Sequence, residues 1–177
     1  MPLCFAYGSN MDRAAMAERC PHSRPVGPAR LARHRCALMR EGYLTVVRDP
    51  RRDVHGLLWD VPLAEMSGLD RYENVASGLY TKVTQPVLTD AGPRRALVYV
   101  GRNAGPGMAR PGYLEGVLAA ATVLGLPAGH LRDLEALSPG IGRTAPAPQP
   151  PRPEVTPRRR SPLDPERDMN AGWRWMP

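Results

Sequence analysis

FAYGSNM, residues 5–11, joins a short apolar run to a helical pattern through a Gly-Ser-Asn turn. The apolar run, residues 3–7, predicts a β-strand, and residues 11–19 predict a helix for which Ser9 or Asn10 is a natural N-cap. A helix N-terminus leaves its first amide N–H groups unpaired, so a glycine-containing turn before it can form a cradle for an anion. The turn therefore predicts either a cradle for a carboxylate or oxyanion, or an ordinary capped helix start.

The bulk composition predicts one globular domain with an appendage. The chain has 177 residues and is 42% apolar, which suits a domain with a substantial core. No run approaches the ~20 apolar residues of a membrane span, and no signal peptide is visible, so a cytoplasmic protein is expected.

The basic charge of the chain reflects its arginine content. The formal net charge is +7, and Lys82 is the only lysine. Abundant Arg, Ala, Gly and Pro are typical of a GC-rich coding sequence, which predicts a bacterial source. The charge is therefore interpreted as compositional, and nucleic acid is not an expected partner.

The composition changes near Pro139, and ten of the 21 prolines lie in residues 139–177. A Pro/Arg-rich segment buries too little apolar surface to offset its ordering entropy. The sequence thus predicts a domain over residues 1–142 and a disordered tail over 143–177. Trp173 and Trp175 near the end of the tail either dock on an apolar groove or have no fixed place.

The remaining pattern mixes strands and helices without a regular βαβ alternation, which favours an α+β fold. A polar turn at Asp49 to Asp53 is expected to separate two of the strands, and Asp60 is a candidate cap for the next helix. The predicted strands are 43–48, 54–60, 79–89 and 94–100, and the predicted helices are 62–71, 113–125 and 130–137.

Cysteine and histidine give no sign of a metal site. Cys4, Cys20 and Cys36 form an odd set without a C-x-x-C pair, so buried inert thiols are expected, with a catalytic thiol as the alternative. The four histidines lack metal-binding spacing and are interpreted as structural or surface residues.

The segment GLDRYENVASGLYTK, residues 68–82, contains a candidate catalytic acid. Glu73 lies at the end of the predicted helix 62–71, and Tyr80 follows seven residues later at a strand start. A carboxyl group at a helix C-terminus meets an unfavourable dipole, and a carboxyl whose pKa rises is suited to general acid/base work. The rival carboxylates, Asp70 and Glu65, are interpreted as solvated helix residues. Taken alone, a glutamate in such a position is most often a surface acid.

Together these stretches resemble the γ-glutamylcyclotransferase family. FAYGSNM resembles the family's opening motif, VHGLLWDV its central strand, and LDRYENVASGLY its catalytic segment, in which a Glu precedes a Tyr by seven residues. The family also has a Tyr at the start of a late helix ahead of a Gly-Leu-Pro break, and here Tyr113 precedes Gly125-Leu126-Pro127. The resemblance extends from about residue 3 to Pro139.

The resemblance implies an α+β fold, a small mixed β-barrel with flanking helices, and release of 5-oxoproline from a small γ-glutamyl compound. It implies that Glu73 is catalytic, and no metal or organic cofactor is expected. The oligomeric state stays open. The implied substrate-binding residues are Tyr7, Gly8, Ser9, Asn10, Met11, Tyr80 and Tyr113.

Two features of the resemblance bear on activity. Asn74 stands where the family often has Gly, and Asn tolerates the left-handed backbone that a helix end often needs. Gly8-Ser9-Asn10 is closer to enzymes of γ-glutamyl amino acids than to the glutathione-specific branch, whose loop reads more like Gly-Ser-Leu. The amine half of the substrate stays open. The alternative function is a non-catalytic interaction protein whose basic tail binds acidic partners.

Overall fold

The computed structural model describes residues 2–137, which form a closed five-stranded β-barrel with flanking helices. The strands are β1 (Leu3–Ala6), β2 (Arg24–Leu38), β3 (Leu44–Asp60), β4 (Tyr80–Thr89) and β5 (Gly92–Gly101). The helices are α1 (Arg13–Arg19), α2 (Met66–Tyr72), α3 (Tyr113–Val123) and α4 (Ala128–Glu135). Single 3₁₀ turns occur at Ser9–Met11, Leu63–Glu65 and Val75–Ser77.

The barrel closes through its only parallel pair of strands among the described residues. The strand order is β1-β3-β2-β4-β5, and β1 also pairs in parallel with β5, with Cys4 opposite Leu97. The other neighbouring pairs are antiparallel. The α+β fold with a small mixed barrel is thus confirmed, while the predicted tail, residues 143–177, lies outside the described residues.

β1 lies unusually close to β3, because Gly56 has no side chain. A Cβ atom at Gly56 would lie 2.1 Å from the carbonyl oxygen of Ala6, which no other residue type would permit without backbone movement. The pairing of Ala6 with Leu57 therefore depends on glycine at the neighbouring position. This contact fixes the end of β1, from which the Gly8-Ser9-Asn10 segment emerges.

β2 is the element that the sequence pattern failed to predict. Its residues include Pro25, Gly27 and Pro28, which argue against a strand. A register shift at Arg33, whose φ is 59°, then breaks the period-2 alternation, so buried positions change from odd numbers to even ones. The pairing with β3 overrides both local signals.

The predicted turn at Asp49 to Asp53 does not separate two strands. The structure has one strand, β3, whose pairing with β2 is irregular there: Arg48 lies opposite His34, and the next paired residue, Asp53, lies opposite Ala32. Polar side chains mark a local break in the ladder, and Asp53 forms an ion pair with Arg30 on β2. The polar run was therefore a signal of irregular pairing.

The helix starts differ from those predicted. α1 begins at Arg13, and its N-cap is Asp12, whose Oδ1 accepts from the Ala15 amide over 2.8 Å. Ser9 and Asn10 belong instead to the preceding 3₁₀ turn. Asp60 does not cap the second helix, since it is the last residue of β3, and Pro62 occupies the cap of the following 3₁₀ turn.

The second half of the described chain follows the predicted pattern. β4 and β5 form the expected hairpin, with Thr89 paired to Gly92. α3 and α4 are separated at the predicted break, where Gly125 has a φ of 66°, a backbone conformation that favours glycine.

Candidate active site

A small cavity lies where β1 ends, and seven of the eight predicted site residues line it. Its volume is about 30 Å³, which is room for roughly two water molecules. Further lining residues that the sequence did not indicate include Cys4, Leu44 and Tyr99. The predicted residues on its wall are Tyr7, Gly8, Ser9, Asn10, Glu73, Tyr80 and Tyr113.

Glu73 reaches the cavity from the C-terminal end of α2. It is the C-cap residue of that helix and is only 5% exposed. The helix ends there because Asn74 adopts the left-handed conformation, with φ 51° and ψ 44°, which confirms that Asn serves where the family often has Gly. A buried carboxyl group is costly without polar partners, and Oε1 of Glu73 accepts a hydrogen bond of 2.7 Å from Nδ2 of Asn10.

The segment Gly8 to Met11 forms a 3₁₀ turn. The Met11 amide donates to the Gly8 carbonyl over 2.9 Å, so it serves the turn itself. Within residues 2–137, the amides of Gly8, Ser9 and Asn10 donate to no backbone carbonyl. The predicted cradle at the N-terminus of a helix over residues 11–19 is wrong in form, because α1 begins only at Arg13 and this segment belongs to the 3₁₀ turn before it. Three amides of the turn nevertheless have no backbone partner within residues 2–137.

Gly8 and Tyr113 are in close contact across the cavity. A Cβ atom at Gly8 would lie 3.0 Å from the hydroxyl oxygen of Tyr113. Tyr113 is the first residue of α3 and is 4% exposed. Glycine at position 8 therefore allows the opening loop and the late helix to meet at the same cavity.

The hydroxyl groups of Tyr80 and Tyr113 are both held by the backbone of Leu44. Tyr80 donates to the Leu44 carbonyl over 2.7 Å, and the Tyr113 oxygen accepts from the Leu44 amide over 3.2 Å. Leu44 is the first residue of β3, where its amide and carbonyl bind side chains of β4 and α3. The start of β3 thus fixes both tyrosines against the cavity.

Tyr7 and Ser9 line the cavity but also hold its wall together. The Tyr7 hydroxyl donates to the carbonyl of Tyr99, and burial, followed by the charge of Glu73, raises the pKa of Tyr7 well above its ordinary value. Oγ of Ser9 lies 3.0 Å from the hydroxyl oxygen of Tyr72, the residue before Glu73. Both side chains therefore have structural partners on the cavity wall.

Met11 is the predicted site residue that the structure places elsewhere. Its side chain is 1% exposed and packs in the hydrophobic core, and it is not part of the cavity wall. Its amide is already used within the turn.

The two rival carboxylates are not the solvated residues that the sequence suggested. Asp70 accepts from Nζ of Lys82 and from the Tyr99 hydroxyl, each over 2.7 Å. Glu65 lies 2.6 Å from Nδ1 of His22, and its side chain is 14% exposed. Each carboxylate is held by neighbouring side chains, and neither lines the cavity.

The cavity also contains a cysteine that the sequence did not assign to it. Cys4 is buried, as are Cys20 and Cys36, which confirms the expected burial of the thiols. Burial, followed by the charge of Glu73, strongly raises the pKa of the Cys4 thiol, so the reactive thiolate is disfavoured. Within residues 2–137 no three His, Cys, Asp or Glu side chains are grouped so that they could hold a metal ion.

Comparisons with known proteins find related sequences. Residues 4–116 match the family model described as gamma-glutamyl cyclotransferase, AIG2-like. A gamma-glutamylcyclotransferase from Homo sapiens is 26% identical over 148 residues, covering 77% of this chain and 79% of the relative. One from Mus musculus is 28% identical over the same coverage.

The fold has a counterpart among solved structures. A structure named gamma-glutamyl cyclotransferase superposes with a TM-score of 0.72 at 24% identity, covering 81% of this chain and 92% of the other. Of the helices formed by residues 2–137, none has the length and apolar character required to cross a membrane.

Proposed function

The chain belongs to the gamma-glutamyl cyclotransferase, AIG2-like family, and on that premise we propose that it releases 5-oxoproline from a small γ-glutamyl compound. The amine half of this compound is an amino acid, a peptide or an amine. The observation that carries the proposal is the buried Glu73 carboxyl at the cavity, hydrogen-bonded to Asn10 of the opening loop. The proposed catalytic domain covers residues 1–142.

The reaction needs no nucleophile from the enzyme. The α-amine nitrogen of the substrate attacks its own γ-carbonyl carbon, and the new C–N bond closes a five-membered ring. The γ-amide C–N bond then breaks, and the amine leaves. Holding the amine and the carbonyl together by itself increases the reaction rate strongly, since oriented intramolecular reactions reach effective molarities of about 10⁵ M or more. The strongly raised pKa of the Cys4 thiol fits a reaction that does not use it.

Glu73 is proposed to carry the proton. The attacking amine must lose one proton and the leaving amine must gain one, so a single carboxyl group that accepts and then returns the same proton balances the reaction. Glu73 is suited to this role because it is buried on the cavity wall, where its carboxyl group would meet the amine of a bound substrate.

The opening loop is proposed to bind the anionic part of the substrate. Gly8, Ser9 and Asn10 lie on the cavity wall, and their amides donate to no backbone carbonyl within residues 2–137. Backbone N–H groups in this position can hold the glutamyl carboxylate or stabilise the oxyanion of the tetrahedral intermediate. Tyr80 and Tyr113 are proposed to line the opposite side of the pocket around the glutamyl group, because Leu44 fixes both hydroxyls.

The direct test is incubation of the full-length protein with a panel of γ-glutamyl amino acids, γ-glutamyl peptides and γ-glutamylamines, with 5-oxoproline as the measured product. Release from at least one class is expected, with turnover lowered by roughly 10² or more in Glu73→Gln. No release from any class would contradict the proposal and favour a non-catalytic role.

A further inference from the structure

Arg19 contacts both segments that supply polar groups to the cavity. It is the last residue of α1, and its Nη1 atom donates to Oδ1 of Asn10. Its guanidinium carbon also lies 3.6 Å from the ring centroid of Tyr72, the residue that precedes Glu73. Arg19 does not line the cavity. It therefore bridges the opening loop and the end of α2 from outside the cavity.

The contact with Arg19 determines how the Asn10 amide is oriented. A side-chain amide has one accepting end and one donating end, whereas a guanidinium group can only donate. Oδ1 of Asn10 must therefore face Arg19, and Nδ2 must face Glu73, to which it donates over 2.7 Å. If the amide turned over, its oxygen would lie against a carboxylate oxygen of Glu73, and two acceptors would repel each other.

We propose that Arg19 is a positioning residue, which acts through Asn10 to keep an amide N–H group directed at the Glu73 carboxylate. This inference rests on the proposed function of Glu73. The planar guanidinium suits the role, because it stacks on the Tyr72 ring while its N–H groups donate in the plane. Lysine could supply the hydrogen bond but not the stacked plane.

A double-mutant cycle tests whether Arg19 acts through Asn10. Arg19→Met and Asn10→Ala are each expected to lower kcat by about tenfold with little change in KM, and the double variant should be no slower than Asn10→Ala alone. Arg19→Lys should recover part of the lost kcat. Arg13 lies exposed in the first turn of the same helix, so Arg13→Met is the matched loss of one positive charge and should leave kcat unchanged.

Two kinetic results would overturn the proposal. Losses in kcat that multiply in the double variant would show that Arg19 and Asn10 act independently. A rise in KM without a fall in kcat would make Arg19 a substrate contact instead. Melting temperatures of all variants identify a merely structural role, in which stability falls and Arg19→Lys does not recover kcat.

A spectroscopic measurement separates this proposal from the proposed function. The side-chain NH₂ signals of Asn10 in ¹⁵N-labelled protein are identified by their loss in Asn10→Ala. Arg19→Met should shift them and speed their exchange with water, whereas Arg13→Met should not. If the wild-type protein releases no 5-oxoproline but these signals respond, the proposed function fails while Arg19 still orients Asn10. Unchanged signals in Arg19→Met would overturn the inference whatever the turnover.

Discussion

Nδ2 of Asn10 donates a hydrogen bond of 2.7 Å to Oε1 of Glu73, although the two residues are separated by 63 positions in the chain. The contact joins the first loop of the protein to the end of α2 at one cavity. It gives the buried carboxyl group a polar partner, and it places the candidate proton carrier beside the amides of the opening loop.

Replacement of Glu73 by Gln is expected to preserve the fold and lower turnover by roughly 10² or more, because an amide cannot accept and return the proton. Gln has the same shape and can still bond to Asn10, so the melting temperature should change little. The measurements are 5-oxoproline release and thermal unfolding of both proteins.

Glu65→Gln is the matched control for this prediction. Glu65 lies in the 3₁₀ turn just before α2, and its carboxylate contacts His22 outside the cavity. Turnover in Glu65→Gln should match the wild type. A Glu73→Gln protein with near-normal turnover would remove Glu73 from the mechanism.

The members of the site were predictable from the sequence to the extent that they are carried by short motifs. Glu73 at a helix end has a local signal, Tyr113 was assigned through the family resemblance, and the structure brings both to the cavity. The Asn10–Arg19 and Tyr80–Leu44 contacts have no such signal, because they depend on side-chain directions and on chain segments that meet only in the folded barrel. Rotamers and strand register decide these contacts.

In the fold, too, some elements were predictable from local sequence and others were not. The β4–β5 hairpin was predictable because its turn residues and strand residues agree locally. β2 was not, because Pro25, Gly27 and Pro28 oppose strand formation while the ladder with β3 imposes it. Tertiary pairing overrides local preference where the two disagree.

Gly8→Val is expected to lower turnover more than Ser9→Ala. A side chain at position 8 would enter the space beside the Tyr113 hydroxyl, only 3.0 Å from a Cβ atom, and would displace either the loop or that tyrosine. Ser9→Ala removes only the hydrogen bond to Tyr72 and leaves the backbone amides in place. Parallel measurements of kcat and KM on both variants check the order. The reverse order would assign the Ser9 hydroxyl a role in the reaction.

Tyr80→Phe and Tyr113→Phe are each expected to lower the free energy of unfolding by about 1–3 kcal/mol, because each removes the side-chain partner of a buried Leu44 backbone group. Urea unfolding of the two variants and the wild type measures this. Thr122→Val is a matched change at an exposed contact. The Thr122 hydroxyl donates to a carbonyl of its own helix, so its removal should lower the free energy of unfolding by less. Equal losses in all three variants would contradict the role assigned to Leu44.

The stability of the protein is expected to fall as the pH decreases, through His130. This residue of α4 is 5% exposed, and its ring centroid lies 5.4 Å from that of His55 on β3. Burial, followed by the nearby His55, lowers the pKa of His130 from its ordinary 6.5 to about 4. The folded protein therefore prefers the neutral imidazole. The contribution of the neutral His130 ring to the free energy of unfolding is fully present above about pH 6.5 and is lost as the pH falls from there towards 4.

Comparison with His130→Phe isolates this effect from other groups that titrate in the same range. Urea midpoints should show the wild type losing stability relative to His130→Phe between about pH 6.5 and pH 4, with a constant difference above that range. A constant difference between wild type and His130→Phe across the whole range would contradict the assignment.

Removal of residues 143–177 is expected to leave turnover and melting temperature nearly unchanged. The cavity residues lie between Cys4 and Tyr113, the barrel closes with β5, and α4 ends at Glu135, so the proposed catalytic domain has its own core and site before residue 143. Steady-state kinetics and thermal unfolding of the truncated and full-length proteins check this. A second variant, Trp173→Ala with Trp175→Ala in the full chain, separates an effect of the two aromatic side chains from one of tail length. A truncated protein that keeps its melting temperature but loses turnover would show that the tail takes part in the site, and loss in the tryptophan variant as well would assign that part to the aromatic end.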